Sequence, residues 1–218
     1  MKSLLAFLIL LTSIPLIAQN HFIGVQGGAA WTDVNGENFI PDNYARKGLM
    51  TGLKYEYQFK NNLQLGLDVL YNQKGFKSDI LFTDNNGVAI SKGEIDFKFD
   101  YLSLPIKAGY TIGNDFKGFF NVAAVPSFLL RSEIENSLFD ANNNLEDISD
   151  KFTKFDLAGM LELGGSYSLR EQILLFMAFN YQYSFTSYTS DDEFFPVSEA
   201  YHYGFTAAIG IKYKFIKE

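Results

Sequence analysis

The chain has 218 residues, a formal net charge of -7 and no cysteine. That balance excludes a nucleic-acid binder, which needs clustered Lys and Arg, and the missing thiols exclude disulfides, thiolate metal sites, a cysteine nucleophile and a lipid-anchored amino terminus. A mean hydropathy of -0.02 excludes a bundle of transmembrane helices, yet aromatics make up 17% of the chain, with 22 Phe and 13 Tyr, more than an ordinary core needs.

The opening stretch, MKSLLAFLILLTSIPLIAQ, has one Lys, an apolar run from Leu4 to Ile17 and then the small Ala18. The run is short for a membrane span and no stop-transfer charges follow it. Residues 1–18 therefore read as a cleaved secretory signal and 19–218 as a single exported domain.

Beyond it, segments alternate at period two, the pattern of strands with one apolar face. In IGVQGGAAW, Ile23, Val25, Ala29 and Trp31 oppose Gly24, Gln26, Gly28 and Ala30. In LMTGLKYEYQF, Leu49, Leu53, Tyr55, Tyr57 and Phe59 oppose Gly52, Lys54, Glu56 and Gln58; in LQLGLDVLY, four leucine and valine positions and Tyr71 oppose Gln64, Gly66 and Asp68.

Between 94 and 111 the apolar phase changes. Ile95, Phe97, Phe99 and Tyr101 share one parity, and Leu102, Leu104, Ile106, Ala108 and Tyr110 share the other. Pro105 also lacks the amide that a closed barrel strand donates, so the spacing predicts a β-bulge between Asp100 and Pro105. A further strand covers about 117–130. FDLAGMLELGGSY sets Phe155, Leu157, Leu161, Leu163 and Tyr167 against Asp156, Glu162, Gly164 and Ser166. ILLFMAFNYQYSF and GFTAAIGIKYKF complete the set of eight.

Short links at 60–62, 113–117 and 169–171 alternate with long ones near 33–46, 77–92, 131–151 and 188–199. Loop length sorted by side is the signature of an all-β, eight-stranded antiparallel up-and-down transmembrane β-barrel, with short periplasmic turns and long extracellular loops. A soluble eight-stranded barrel has no reason for such sorting.

In this reading the apolar parity faces lipid. Aromatic girdles are expected from Trp31, Tyr71, Phe185 and Tyr201 on the loop side, and from Phe59, Tyr110, Tyr167, Tyr213 and Phe215 on the turn side. The inward parity carries Lys54, Lys107, Lys212 and Lys214 as cations and Glu56, Asp68, Asp156 and Glu162 as anions. Equal numbers of each sign in a narrow lumen point to a charge network that fills the barrel.

The segments LQLGLDVLYNQKGFK (Leu63 to Lys77) and YLSLPIKAGY (Tyr101 to Tyr110), with GVQGGAAWT and the last strand, resemble the PorT-like family of outer-membrane β-barrel proteins of Gram-negative bacteria. The first looks like that family's Tyr-x-Gln-Lys-Gly element and the second like its Tyr-Leu-x-Leu-Pro strand. The resemblance implies an outer-membrane barrel, supplies no catalytic residue, and in one member goes with a protein-secretion apparatus; outer-membrane lipids and lipopolysaccharide are the expected surroundings. Gly210, Tyr213 and Phe215 look like the glycine and alternating aromatic signal read by outer-membrane assembly machinery, which would make that machinery a partner.

The chain has two histidines. His21 begins the first strand and reads as a solvated interface residue. His202 falls on the inward parity at the loop side, near Asp191, Asp192, Glu193 and Ser198 in sequence, so a rim hydrolase is one alternative. A small pore is a second, and a soluble barrel binding an apolar ligand a third. Glu133, Glu135, Asp140, Glu146, Asp147 and Asp150 enrich the third loop in carboxylates, but at no EF-hand spacing, so they read as a solvated acidic surface rather than a Ca²⁺ site. Gly27, Gly28, Gly164 and Gly165 lie inside strands and serve packing, not phosphate binding. The reading is a non-enzymatic envelope component with no cofactor.

Overall fold

The computed structural model describes residues 20–36, 43–83, 89–136, 145–189 and 199–215. Ten strands appear among them: β1 (Asn20–Gly36), β2 (Asn43–Gln58), β3 (Leu63–Thr83), β4 (Ala89–Ser103), β5 (Ile106–Gly113), β6 (Phe116–Asn136), β7 (Leu145–Asp147), β8 (Phe155–Ser168), β9 (Ile173–Ser184) and β10 (Ala200–Phe215). All paired strands run antiparallel. β10 returns to pair with β1 from His21·Phe215 to Gly36·Ala200, which closes the ring.

β4 and β5 together form one stave, and β7 only pairs with β6 from the side, so the ring has eight staves. β4 and β5 part at Leu104 and Pro105 because proline cannot donate to the ladder. The stave remains stitched nonetheless. The Asp68 amide donates to the Pro105 carbonyl at 3.0 Å and the Leu104 amide to the Pro126 carbonyl at 2.8 Å.

The burial pattern is inside-out. Along β3, Leu63, Leu65, Leu67 and Val69 are 42–48% exposed, while Gln64 and Asp68 between them are buried. Leu49 on β2 and Phe116 on β6 are 65% and 67% exposed, whereas Lys54 and Glu162 are 2% and 1%. An apolar belt of this extent around a polar interior is a lipid-facing wall.

The expected change of phase near residue 100 is a change of content and not of side. Phe97, Phe99, Tyr101, Ser103, Pro105 and Lys107 are all buried on one inward parity, while Ile106, Ala108 and Tyr110 face out. The interior itself turns from charged to aromatic toward the loop end, and this is what the apolar residues at 95–101 signal. The bulge lies instead on the facing strand. Asp100 pairs with Arg131 and Tyr101 with Leu129, leaving Leu130 as the extra residue in β6. The register along β4 and β5 against β3 keeps a single offset through the proline.

The long connections are also shorter than expected, because β1, β2, β3, β4 and β6 continue into them. β3 and β6 each run 21 residues. Past Tyr71 the outward positions of β3 become Gln73, Lys77 and Asp79. Lys77 meets Glu94 of β4 at 2.5 Å, Arg46 meets Asp96 at 2.9 Å and Lys98 pairs with Glu135, so an outer ladder of ion pairs succeeds the apolar belt.

Candidate functional site

The lumen is built by the inward parity of every stave. Lys107 of β5 reaches Asp68 of β3 at 2.7 Å and Glu162 of β8 at 3.4 Å. Lys54 lies 3.1 Å from Glu56, two residues along the same face of β2, and 3.6 Å from Glu162; Lys212 of β10 lies 2.6 Å from the other Glu56 oxygen. Neutral side chains extend the chain of contacts. Thr111 donates to Gln64, Gln64 to the Asn121 side-chain oxygen, and Asn121 to Glu162, each at 2.6 Å. Gln26 donates to Asp68 at 2.9 Å.

Asp156 sits higher and is held by Lys74 at 2.7 Å, Ser184 at 3.0 Å and Thr186 at 3.1 Å. Lys74 is an addition to the expected lumen residues. Lys214, which was expected there, is half-buried near the turn-side mouth, and no ion pair to it is seen among the described residues. The buried ion-paired set is therefore Lys54, Lys74, Lys107 and Lys212 against Glu56, Asp68, Asp156 and Glu162. Aromatic rings of the interior add to it. Lys54 lies 4.9 Å from the Phe176 ring and Lys212 5.0 Å from the Phe22 ring. Cations on ring faces gain electrostatic stabilisation that rises as water is excluded.

Above Asp156 the interior becomes an aromatic lid. Val34, Phe76, Phe97, Phe99, Tyr101 and Leu129 from the staves pack with Ile148, Phe152 and Tyr188 from the long connections. Those connections are tied inward by backbone bonds. The Ile148 amide donates to Ser132, Thr153 to Tyr188 and Tyr188 to Ala200, each at 3.0 Å. Phe99 meets the rings of Phe152, Tyr188 and His202 at 4.9, 5.3 and 5.1 Å.

His202 stacks on Tyr188 with centroids 4.5 Å apart and is only 2% exposed, so it belongs to this lid and not to an open rim. Its ring nitrogens have no hydrogen-bond partner among the described residues. Asp191, Asp192, Glu193 and Ser198 lie outside those residues. A cavity beneath the ring, lined by Thr32, Asn72, Lys74 and Gln182, offers about 10 Å³ to the centre of a water molecule, room for one.

Of the outward aromatics, Trp31, Tyr110, Tyr167, Phe185, Tyr213 and Phe215 are exposed, and Phe59, Tyr71 and Tyr201 are half-buried. Gly210 faces inward between Val25 and the Phe176 ring, on the parity opposite Tyr213 and Phe215. His21 touches the Tyr55 hydroxyl at 2.9 Å. In the third connection, Glu133 pairs with Arg131, Asp150 with Lys154, and Asp147 accepts from Ser149, while Asp140 lies outside the described residues. Among the described residues no three His, Asp or Glu side chains gather as a metal site would need.

A closed antiparallel ring with an apolar exterior and a charge-filled interior defines an integral β-barrel of the outer-membrane type. The chain belongs to the outer membrane protein beta-barrel domain family, whose model matches residues 17–190. No curated protein matches it. Among solved structures, a major outer membrane protein from Thermus thermophilus shares the fold at 11% identity and a TM-score of 0.55, with 89% of this chain and 99% of that one covered. Neisserial surface protein A is similar at 15% identity (TM-score 0.48, 88% and 97% covered), as is the outer membrane protein OprG from Pseudomonas aeruginosa at 14% (TM-score 0.47, 92% and 97% covered).

Proposed function

We propose that this outer-membrane protein is a non-conducting, non-enzymatic component of the cell envelope that meets a protein partner through its outer connections, as an accessory to secretion of the kind the PorT-like resemblance implies. Residues 1–18 direct export and 19–218 form the single mature domain. The lumen charges act as a filling network, the outward aromatics seat the barrel at the two interfaces, and Gly210, Tyr213 and Phe215 serve as the signal for assembly. The acidic outer connections present a solvated surface to divalent-bridged lipopolysaccharide.

The observation that carries this reading is the filling of the lumen at two levels, ion pairs below and aromatic rings above, with room for a single water between them. Among the described residues, the ion pairs and the aromatic rings take up the space a solute would need, which supports a filled rather than a conducting lumen. The enclosure of His202 by Phe99, Tyr101 and Tyr188 also argues against the rim hydrolase.

Purified barrel in a planar bilayer is expected to give no discrete conductance steps, and reproducible unitary currents would favour the pore instead. Tagged protein crosslinked and purified from its native outer membrane is expected to bring secretion or surface-machinery components. Recovery of bulk porins and lipopolysaccharide alone would remove the partner role.

A further inference from the structure

The outer wall of the barrel is indented at one place near its short-turn end. Gly118, two residues into β6, pairs with Gly165, three residues before the end of β8. Both lie on the outward parity; the Phe116 ring leans over Gly165, while outside Gly118 an open groove of about 710 Å³ runs between Phe116, Phe120, Leu163 and Met177.

Gly118 differs from the glycine of the seam in its reason. A β-carbon at Gly28 would come within 2.1 Å of the Ala207 carbonyl oxygen, so that glycine is demanded by its neighbour; a β-carbon at Gly118 would meet nothing within 4 Å. A glycine inside a strand is less stable there than alanine, and no packed protein atom requires it at 118. What the residue provides is the space outside it.

We propose that this groove is a lipid site that seats one acyl chain of a phospholipid from the leaflet at the short-turn end. Three features select that occupant. The groove is continuous with the lipid-facing belt, so hydrocarbon is what meets it. It lies within a turn's reach of the connections 114–115 and 169–172, which places it in the inner half of the wall, away from lipopolysaccharide. Arg170, exposed in the β8–β9 turn next to Glu171, is a cation at headgroup level beside strands that line the groove.

The test is native mass spectrometry of the whole barrel released in mild detergent from outer membranes containing phosphatidylethanolamine and phosphatidylglycerol. Wild type is expected to keep one phospholipid through a wash that strips the rest. Gly118→Phe places a ring in the groove and should lower that occupancy at least tenfold, with folding checked by heat-modifiable gel mobility. Equal retention by both proteins overturns the proposal. So does retention of lipopolysaccharide in place of phospholipid, or a wild-type dimer that Gly118→Phe dissolves, since either assigns the groove to another occupant. If Gly118→Phe does not fold, chain-spin-labelled phosphatidylglycerol with wild-type barrel decides. An immobilised component displaced by unlabelled lipid supports the site, and its absence overturns it.

Discussion

Asp68 shows what the interior asks of a single residue. Its carboxylate takes Lys107 at 2.7 Å and Gln26 at 2.9 Å with almost no exposure. Removing one member of a buried pair strands the other, which costs about 3–5 kcal/mol, whereas replacing both by apolar groups is close to neutral. Lys107 keeps Glu162 at 3.4 Å, so Asp68→Ala is expected to destabilise the folded barrel by the lower end of that range in urea titrations, and Asp68→Leu with Lys107→Met to regain only part of it, because the second change withdraws a cation from Glu162. Tyr188 makes a second prediction. Burial, with Asp33 nearby, pushes its phenol well above the usual tyrosine range. In the unfolded chain that phenol ionises near pH 10, so the stability it contributes is complete below about pH 10 and is lost as pH rises further toward the folded value. Urea midpoints from about pH 8 to about pH 11.5 should fall more for wild type than for Tyr188→Phe. Most of the charge network is legible because alternation assigns sides, so Lys54, Glu56, Asp68, Lys107, Asp156, Glu162 and Lys212 fall on the inward parity at once. Lys74 escapes because the apolar alternation of β3 stops near Tyr71; continuing the same parity through Asn72 reaches it. Lys214 shows the converse, since parity fixes a direction but not a partner.

At the scale of the element, the closing pair β1 and β10 is the place where the fold is most exposed to a small change. The two strands pair from His21·Phe215 to Gly36·Ala200, and Gly28 sits against Ala207 with no room for a side chain. Gly28→Val is expected to prevent closure, leaving a heat-unmodifiable, protease-sensitive band on gels, whereas Gly27→Val, on the outward parity with no atom closer than 3.8 Å, should close normally. Existence and order of the staves are readable from periodicity and from loop length. The stave of β4 and β5 is harder. Its apolar residues change parity at Tyr101 and Leu102, and where apolar is taken to mean lipid-facing, that change demands a bulge between Asp100 and Pro105. The inward Phe97, Phe99 and Tyr101 are apolar because they pack against Phe152, Tyr188 and their neighbours. Those partners come from connections distant in sequence, and no local pattern reports such a contact. The true bulge at Leu130 is invisible for the same reason, being set by the strand it faces.

For the whole molecule, the lumen and the wall have divided the usual roles of a barrel. The interior is committed to holding the ring together, and the expected silence in conductance recordings follows from its two filled levels. What is left to act is the exterior, in two zones: the apolar belt with its groove at Gly118, and the charged overhang at the other end. The length of that overhang has a consequence of its own. At about 3.3 Å per residue, the 21 residues of β3 extend about 70 Å along the strand and, allowing for a tilt of about 40°, rise about 50 Å against an apolar band of about 25 Å. Along β3 and β6, each 21 residues long, roughly half of the wall stands clear of hydrocarbon beside the aromatic lid, whereas β8 and β9 span only 14 and 12 residues. Under the proposed function, a partner docking on these extended tips would meet them beyond the layer of lipid phosphates, so the shape it recognises would be insulated from changes in the thickness or composition of the membrane below.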